Sequence, residues 1–424
     1  MPRLTANHTI WFLILFVALT ARLAAGAWWQ SRLTEGQRFF FGDSLSYWTL
    51  GKAIAHGEPY DYPTPDSHVF RAPGYPLLLA GCFRLFGDDA PMMAARALSA
   101  VMGTIAVGVA GWWATQLFDE RAGRWAGWIA ALYPGAVSMG AFVLSDAPFC
   151  PFMLLQLALW SLAWRAKSAK SAIALALAGG IVGAVATLIR PSWLLFTPLA
   201  IVAGLLLDKH RSRQFLMSTA MCVVFAAAML PWWIRNAQIT GHFVPTTLQV
   251  GASLYDGLNP AADGSSNMDF VAGFEAQEHA ADAAAGAETF EYRLDRRLAS
   301  AAVDWARANP GRVFELAWIK FLRTWNVWPN EPAFRSWPVR MVVLLTYAPL
   351  LVLSLVGAWR FTRNGWPYVL AWMPAVYFTL LHVVFVGSLR YREPAMLALV
   401  VLAAGVLAGS RPSSVSVAPL TRLD

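Results

Sequence analysis

The chain has 424 residues, of which 57% are hydrophobic and 14% are charged, and its mean hydropathy is +0.47. This composition excludes an ordinary soluble globular protein, in which about 25% of the residues are charged, and it indicates an integral membrane protein. The formal net charge of +8 requires no nucleic acid partner, because many basic residues fall in short segments between apolar runs. The three cysteines, Cys82, Cys150 and Cys222, show neither metal-ligand spacing nor a disulfide framework.

Apolar runs predict about ten transmembrane helices. A helix needs roughly 20 apolar residues to cross a hydrocarbon core about 30 Å thick. We expect the spans at residues 10–29, 92–117, 124–143, 147–164, 171–189, 192–207, 215–234, 339–359, 366–387 and 394–409. The first run also resembles a cleavable signal peptide, although the later spans make an uncleaved first helix sufficient for insertion.

The segment between the first two spans predicts two short helices. One begins near Asp43 and ends near Gly57, and it places Asp43 and Tyr47 on one face because they are four residues apart. Asp43 is also a favoured residue type for the N-cap of that helix. The second helix, from Leu77 to Phe86, is too short to cross the membrane.

The longer segment at residues 236–338 predicts two helices separated at Asn309–Pro310. Residues 261–288 contain few branched apolar residues and predict a mobile loop. Such a loop either covers a functional cavity and gates it or is a tolerated surface insertion.

Basic residues predict the orientation. With both termini in the cytoplasm, the short basic loops and the basic C-terminal tail also lie there, which is the positive-inside pattern. These loops comprise residues 120–124, 164–170, 208–213 and 360–363. Segments 30–91 and 236–338 are then external, and in a bacterium they face the periplasm from the inner (plasma) membrane. We therefore divide the chain into an N-terminal transmembrane module (1–235), an external loop (236–338) and C-terminal transmembrane helices with the tail (339–424).

Several charged residues lie at the external ends of spans. The positive-inside rule disfavours arginines there, and a charge of either sign is costly near the membrane. These charged residues are Asp43, Asp146, Arg190, Arg235, Arg390 and Arg392. A charge at the bilayer centre costs roughly 2.5–3.5 kcal/mol, so such residues face partners, cavities or headgroups. Arginines at span ends can also extend to lipid phosphates, but that alternative does not explain their collection on one side.

The residue types suggest a chemistry for this face. Arginine binds phosphate through two parallel hydrogen bonds and keeps its charge. Carboxylates supply a general base or a metal ligand. The pattern therefore predicts a site for a lipid phosphate, beside a carboxylate that acts on a group arriving from outside.

A series of short motifs resembles a known superfamily. In chain order they are GDSLSY (42–47), RAPGYPLLLA (71–80), LSDAPF (144–149), LIRPSW (188–193), PWWIRN (231–236), NPGRVFELAW (309–318) and RYREPAML (390–397). Together they resemble the polytopic GT-C glycosyltransferases. They are more similar to the glycosyltransferase 39 group, which includes protein O-mannosyltransferases, lipid A aminoarabinose transferases and lipopolysaccharide galacturonosyltransferases.

The resemblance implies an all-α polytopic membrane fold and an activity. By this resemblance, the chain would move a sugar from a polyprenyl-phosphate donor, with inversion, to an external acceptor that is a glycolipid, lipopolysaccharide or protein. Asp43 matches the catalytic carboxylate and general base, and Asp146 matches a second acidic residue, for which many members have Glu. Arg71 matches a basic residue near the donor phosphate.

The remaining assignments concern the donor phosphate and its surroundings. The resemblance places Arg390 and Tyr391 near the donor, while Arg190 and Arg235 join them as much by topology as by resemblance. Tyr47 and Arg392 are assigned supporting roles. The sequence allows a divalent metal between the carboxylates and the phosphate but does not require one. His382 is predicted to lie on roughly the same helical face as Arg390. A lone histidine near a span end is, however, more often a packing group.

A transporter or flippase of a lipid-linked glycan is the main alternative. Transporters place ionisable groups near the bilayer midplane, often with broken helices and inverted repeats. Here the unusual charges collect at one face and no convincing repeat is visible, so the pattern favours a transferase. A lipid-phosphate hydrolase would need a nucleophile and histidine constellation that the scattered histidines do not provide.

Overall fold

The structure is a computed structural model of the chain. It describes residues 2–34, 39, 41–281, 288–330 and 335–412. Over these ranges the chain is helical and contains no strand, which confirms the all-α fold class. The helices are α1 (Pro2–Gln30), α2 (Gly42–His56), α3 (Gly74–Phe86), α4 (Met92–Leu117), α5 (Glu120–Leu132), α6 (Pro134–Met139), α7 (Asp146–Arg165), α8 (Ala169–Ile189), α9 (Phe196–Leu207), α10 (Arg211–Thr240), α11 (Val250–Gly257), α12 (Val271–Ala281), α13 (Phe290–Ala308), α14 (Pro310–Trp325), α15 (Trp337–Phe361), α16 (Trp366–Val384) and α17 (Leu389–Leu407).

Seven of the described helices are long and apolar enough to cross a membrane. They are α1 from Asn7 onward, α4, α7, α8, α10, α15 with the turn after it, and α16. Each coincides with one of the ten predicted spans. The exposed side chains on α1 and α15 are largely apolar, for example Phe12, Phe16 and Leu345, as expected of surfaces that face lipid.

The other three predicted spans are not among these seven helices. Span 124–143 is divided between α5 and α6 at Pro134, which lacks the N–H needed to continue a helix. In span 192–207 a short 3-10 turn precedes α9, whose 12 residues rise only about 18 Å. Span 394–409 belongs to α17, whose first two turns carry Arg390, Arg392 and Glu393.

Helix α17 is nevertheless central to the bundle. Every residue from Arg392 to Gly405 is buried, and α17 packs against α4, α5, α7, α15 and α16. The close approach of α15 depends on Gly357, where an added Cβ would lie 2.7 Å from the Leu402 carbonyl oxygen. Small residues at such contacts allow transmembrane helices to approach closely. The start of α17 is therefore held firmly by its neighbours.

The segment between α1 and α4, called loop 1 (residues 31–91), contains the two predicted helices α2 and α3, which pack together. Asp43 is not the N-cap of α2, contrary to that prediction. Phe41 is the N-cap, with extended backbone, and Asp43 lies in the first turn. Its side chain is engaged by another part of the chain instead.

The segment between α10 and α15, called loop 2 (residues 241–336), contains α11 to α14. The predicted break at Asn309–Pro310 is confirmed, since α13 ends at Ala308 and α14 begins at Pro310. The prediction of a loop over 261–288 is wrong for Val271–Ala281, which forms α12; residues 282–287 lie outside the described part. Lys320 attaches α14 to the bundle, because its buried Nζ donates to the carbonyls of Gly257 (2.8 Å) and Val384 (2.7 Å).

Loops 1 and 2 contact each other and therefore lie at the same end of the bundle. The Leu248 N–H donates to the Val69 carbonyl at 3.0 Å. The Glu291 carboxylate accepts from the N–H groups of His68 (2.9 Å) and Val69 (3.0 Å). The two loops thus form one layer over the helix ends.

Candidate active site

A cavity of about 1360 Å³ lies between this layer and the helix ends. Its wall is formed by parts of α2, α6, α15 and α17 and by both loops. Six of the predicted site residues line it: Asp43, Arg71, Asp146, Arg390, Tyr391 and Arg392. Residues that are far apart in the sequence thus meet at one concave surface.

Asp43 presents an ionised carboxylate to the cavity. Its Oδ1 accepts from Nη2 of Arg71 at 2.7 Å, and its Oδ2 lies 3.8 Å from Nη1 of Arg390. Burial alone would raise the pKa of Asp43, but the positive charges of Arg71 and Arg390 outweigh it and hold the pKa below its usual range. Because 44% of the side chain remains exposed, the carboxylate can be reached by a ligand.

Arg71 is held on every side of its guanidinium. Besides Asp43, its Nε donates to Ser46 Oγ at 2.9 Å and its Nη1 to Gln249 Oε1 at 2.7 Å. The Arg71 Cζ lies 4.8 Å from the centre of the Tyr47 ring and 4.9 Å from that of Phe70. Arg71 therefore fixes the direction of the Asp43 carboxylate, and Tyr47 supports Arg71 without lining the described cavity wall.

Asp146 is buried beneath the cavity floor, with 1% of its surface exposed. Its Oδ1 accepts from Nη1 of Arg190 at 2.8 Å, and its Oδ2 accepts from Nη2 (2.8 Å) and Nε (2.9 Å) of Arg390. Asp146 begins α7, where the helix dipole also favours a negative charge. It thereby joins the starts of α7 and α17 to the end of α8.

Arg390 connects the two carboxylates. Its Cζ lies 5.5 Å from the centre of the Phe41 ring and 5.7 Å from that of Tyr391. Tyr391 in turn stacks on His382, with ring centres 4.0 Å apart and nearly parallel planes. His382 Nδ1 faces the Val386 carbonyl at 3.1 Å. His382 is thus a packing group behind the site, as its position near a span end favours.

Two predicted arginines are directed elsewhere. Arg235 donates to the His68 carbonyl at 3.1 Å and lies over the Trp232 ring, outside the described cavity wall. Arg392 lines the cavity, but its guanidinium is buried over the Tyr347 ring and donates to the Thr324 carbonyl. We therefore assign to Arg235 and Arg392 structural contacts with loops 1 and 2, respectively.

The central cluster has an excess of one positive charge. Three arginines (Arg71, Arg190 and Arg390) surround two carboxylates (Asp43 and Asp146). A local net positive charge beside a partly apolar cavity wall attracts and holds an anion. The arrangement is therefore suited to an anionic ligand with a single negative charge.

Sequence reasoning missed three polar residues that position this cluster: Ser46, Gln249 and Glu291. Ser46 lies one turn after Asp43 on α2, which a helical projection could have identified. Gln249 and Glu291 come from loop 2, about 180 and 220 residues after their partners in loop 1. No local pattern in the sequence predicts contacts at such separations.

Glu291 gives the layer a pH dependence. Burial raises the pKa of Glu291 to about 7, although the N–H groups of Val69 and His68 and the charges of His68 and Arg235 favour its ionised form. An acid whose folded pKa is raised stabilises most below its unfolded pKa near 4.5, and the contribution is lost as the pH rises through 7. We expect the attachment of loop 2 to loop 1 to weaken by up to about 3 kcal/mol between pH 4.5 and 8.

Hydrogen exchange of the His68 and Val69 amides over this pH range measures the effect, after correction for intrinsic exchange rates. Glu291→Gln, which stays neutral, should remove the pH dependence. A dependence that persists unchanged in this variant would contradict the assignment to Glu291.

Comparisons with known proteins bear on this fold and site. Residues 70–234 match the model of the dolichyl-phosphate-mannose-protein mannosyltransferase family, a range that includes Arg71, Asp146 and Arg190. No curated protein sequence matches the chain significantly. The structure superposes on the oligosaccharyltransferase AglB of Archaeoglobus fulgidus in complex with an inhibitory peptide and a dolichol-phosphate, at a TM-score of 0.58 and 15% identity over 95% of this chain. The chain has the GT-C fold.

Two further solved structures are similar to this chain. The Archaeoglobus fulgidus oligosaccharyltransferase in complex with Zn and sulfate gives a TM-score of 0.52 at 14% identity over 94% of this chain and 49% of that one. ArnT of Cupriavidus metallidurans bound to undecaprenyl phosphate gives 0.45 at 16% identity, over 93% and 76% of the two chains. The chain spans about half the length of the archaeal enzyme, 50% of it in the complex with peptide.

Proposed function

We propose that the chain is a glycosyltransferase that moves a sugar from a polyprenyl-phosphate donor to an acceptor at the external face of the membrane. The observation that carries the proposal is the ionised, partly exposed Asp43 beside an arginine cluster with one positive charge in excess. The mannosyltransferase family match over residues 70–234 supports a lipid-phosphate sugar as the donor. So does the dolichol-phosphate in the complex of AglB, which shares this fold.

The charge of the cluster fits such a donor. A sugar phosphate esterified to a polyprenol is a diester with one negative charge, which matches the single positive charge in excess. When the sugar leaves, the lipid phosphate becomes a monoester and gains a second negative charge. Arginine N–H groups already placed at the cavity stabilise charge that develops in the transition state.

The cavity also offers an apolar wall for the lipid. Met139 and Phe142 lie on one side, and Val339, Val342 and Val343 of α15 lie on the other. Contact with a polyprenyl chain would remove this apolar surface from water, which contributes about 25 cal/mol for each Å² buried. We propose that the donor enters from the bilayer between α6 and α15.

Asp43 would act as the general base. As the acceptor oxygen attacks C1 of the sugar, the hydroxyl proton passes to the Asp43 carboxylate, the bond from C1 to the phosphate oxygen breaks, and its electron pair leaves with the phosphate. Attack on the face opposite the leaving phosphate inverts C1. A carboxylate with a low pKa is a modest base, but the hydroxyl becomes acidic as the new bond forms, so the transfer is favourable late in the step.

In this proposal Asp146 is not a second catalytic carboxylate. Both of its oxygens accept hydrogen bonds from arginines and the side chain is almost fully buried, so Asp146 is poorly placed to take a proton from an acceptor. Asp146 instead positions Arg190 and Arg390. The position of the whole cluster at one end of the bundle, rather than at its midplane, favours a transferase over a transporter.

Mass spectrometry of the cell envelope tests the proposed function. In a strain that lacks the chain, we expect one sugar to be missing from a glycolipid, lipopolysaccharide or glycoprotein, and we expect the wild-type chain to restore it. An envelope with unchanged glycans would contradict the proposal. The acceptor class follows from which molecule loses the sugar.

The orientation requires its own test. Reporters fused after Lys170 and after Ala262 should lie on opposite sides of the membrane, with the Ala262 fusion external. Lys170 belongs to a basic loop and Ala262 to loop 2, so the result follows from the positive-inside rule. Alkaline phosphatase activity of each fusion measures it. Two fusions on one side would contradict the proposed topology.

A divalent metal does not fit the site as it stands. Among the described residues, no group of three or more His, Cys, Asp or Glu side chains is placed to hold a metal ion. Asp43 and Asp146 are the two carboxylates of the central cluster, and Arg390 lies between them. We therefore assign no step of the proposed transfer to a metal.

A further inference from the structure

We infer that the Arg390 guanidinium occupies the position between Asp43 and Asp146 that a divalent metal ion would otherwise hold, so that sugar transfer requires no metal. The inference rests on the proposed function for the transfer itself. Its structural part concerns only which cation neutralises the two carboxylates. Metal binding and sugar transfer are therefore measured separately.

The hydrogen bonds of Asp146 engage both of its oxygens and occupy three of about four acceptor sites. Its Oδ1 accepts from Arg190 at 2.8 Å, and its Oδ2 accepts twice from Arg390, at 2.8 and 2.9 Å. A magnesium ion needs oxygen ligands at about 2.1 Å in octahedral geometry, and calcium needs six to eight at about 2.4 Å. Either ion would have to displace both arginines from a side chain that is almost fully buried.

Arg390 is also fixed in place by its surroundings. It lies in the first turn of α17, which continues into a run of buried residues from Arg392 to Gly405. The rings of Phe41 and Tyr391 lie near its guanidinium, at 5.5 and 5.7 Å, and His382 stacks on Tyr391. Withdrawal of Arg390 to admit a metal would break two ion pairs and this aromatic packing.

The electrostatics lead to the same inference. The three arginines already exceed the two carboxylates by one positive charge. A divalent cation added to the cluster would raise the excess to three charges, in a region where like charges repel strongly because little water screens them. The loss of Arg390 alone would remove the excess and leave two carboxylates with two arginines, Arg71 and Arg190.

A guanidinium can supply what a metal ion would supply in this step. Its N–H groups neutralise the carboxylates and can donate to a phosphate oxygen as charge develops there. The atoms balance without a further reactant: the acceptor proton goes to Asp43, and the electron pair of the broken bond stays on the phosphate. Arg390 is therefore a catalytic residue in this proposal and Asp146 a positioning residue.

The test begins with the binding of Mn²⁺ itself, measured by electron paramagnetic resonance on the purified full chain. The wild-type chain should bind no Mn²⁺ at concentrations up to about 1 mM, which is the range of weak oxygen-ligand sites. Arg390→Ala, which leaves the two carboxylates without the bridging cation, should bind Mn²⁺, and the added Asp43→Asn change should abolish that binding. Two results would overturn the inference. One is Mn²⁺ binding to the wild-type chain that is lost in Asp146→Asn, and the other is a folded Arg390→Ala chain that binds no Mn²⁺.

Matched variants separate a specific site from general loss of charge. Glu278 is paired with two arginines, Arg293 at 2.7 Å and Arg297 at 2.6 Å, as Asp146 is paired with Arg190 and Arg390. Arg297→Ala should acquire no Mn²⁺ site. Arg390→Lys, which keeps the charge but loses the fork, should fold and likewise bind no Mn²⁺. Binding by either variant would contradict the assignment.

Activity forms the second readout. Wild-type transfer should be the same within about twofold in EDTA and in added Mn²⁺, whereas a fall of about tenfold or more in EDTA, reversed by Mn²⁺, would overturn metal independence. The two failures are distinguishable. If the proposed function is wrong, no transfer occurs in either buffer, while the binding measurements still decide whether Arg390 holds the position of the cation. If Arg390→Ala does not fold, the wild-type binding and EDTA results decide the inference.

Discussion

Replacement of Asp43 by Asn is expected to lower the rate of sugar transfer by about 10²–10⁴-fold, the usual contribution of a positioned general base. The change keeps the size of the side chain and an oxygen that can accept from Arg71, so we expect the fold to persist. The initial rate of transfer from a lipid-linked sugar in proteoliposomes measures the effect. The thermal unfolding midpoint of the same preparation reports on the fold.

The matched control is Asp88→Asn. Asp88 lies in loop 1 like Asp43 and pairs with Lys52 and His56, but it is 62% exposed and outside the described cavity wall. Its loss should change transfer little. A folded Asp43→Asn protein that transfers sugar at the wild-type rate would show that another group accepts the proton.

The largest effect on stability is expected at Asp146. Asp146→Ala leaves Arg190 and Arg390 buried without their carboxylate, and removal of one partner from a buried ion pair typically costs about 3–5 kcal/mol. The same variant should lose transfer, because Arg390 is no longer oriented toward the cavity. Thermal unfolding in detergent, compared with wild type, measures the loss of stability.

Glu315→Gln supplies the control for this stability effect. Glu315 pairs with Arg312 on the surface of α14, with side chains 59% and 39% exposed. Such exposed pairs contribute about 0–1 kcal/mol, so the unfolding midpoint should hardly move. If Asp146→Ala were as stable as this control, Asp146 would not have the positioning role derived from its contacts.

Much of the architecture follows from the sequence because it depends on local patterns. Seven long apolar runs form helices of spanning length. The first short helix of loop 1 is predicted from Asp43 to Gly57, and the positive φ of Gly57, 70°, suits a glycine at the end of a helix. Pro310 marked the start of α14 because proline is well tolerated in the first turn of a helix. Each of these signals lies within a few residues of the feature that it specifies.

The errors have physical causes as well. Hydropathy placed the start of the last span at residue 394, but α17 begins at Leu389 and includes Arg392 and Glu393, which are buried as an ion pair. Pro134 divides the run that contains α5 and α6. The stretch 271–281 reads as a loop because it has few branched residues, yet it is rich in alanine, which has the highest helix propensity.

The site was predictable as a collection of residues but not as a set of contacts. Topology alone predicts that Asp43, Asp146, Arg190 and Arg390 collect at one end of the bundle. Packing fixes the side-chain directions, and these decide which arginine bridges the two carboxylates. They also direct Arg235 toward the Trp232 ring. The support from Gln249 and Glu291 depends on the docking of loop 2, which no local pattern encodes.

The central claim is that the chain breaks the bond between a sugar and a lipid phosphate. Lipids extracted from a strain that lacks the chain should contain an accumulated polyprenyl-phosphate sugar, measured by mass spectrometry. When the purified chain is added to liposomes of these lipids together with the membrane acceptors, we predict that this species disappears and that free polyprenyl phosphate and a glycosylated acceptor form. A donor lipid that stays intact, or that only moves between leaflets without cleavage, would contradict the account.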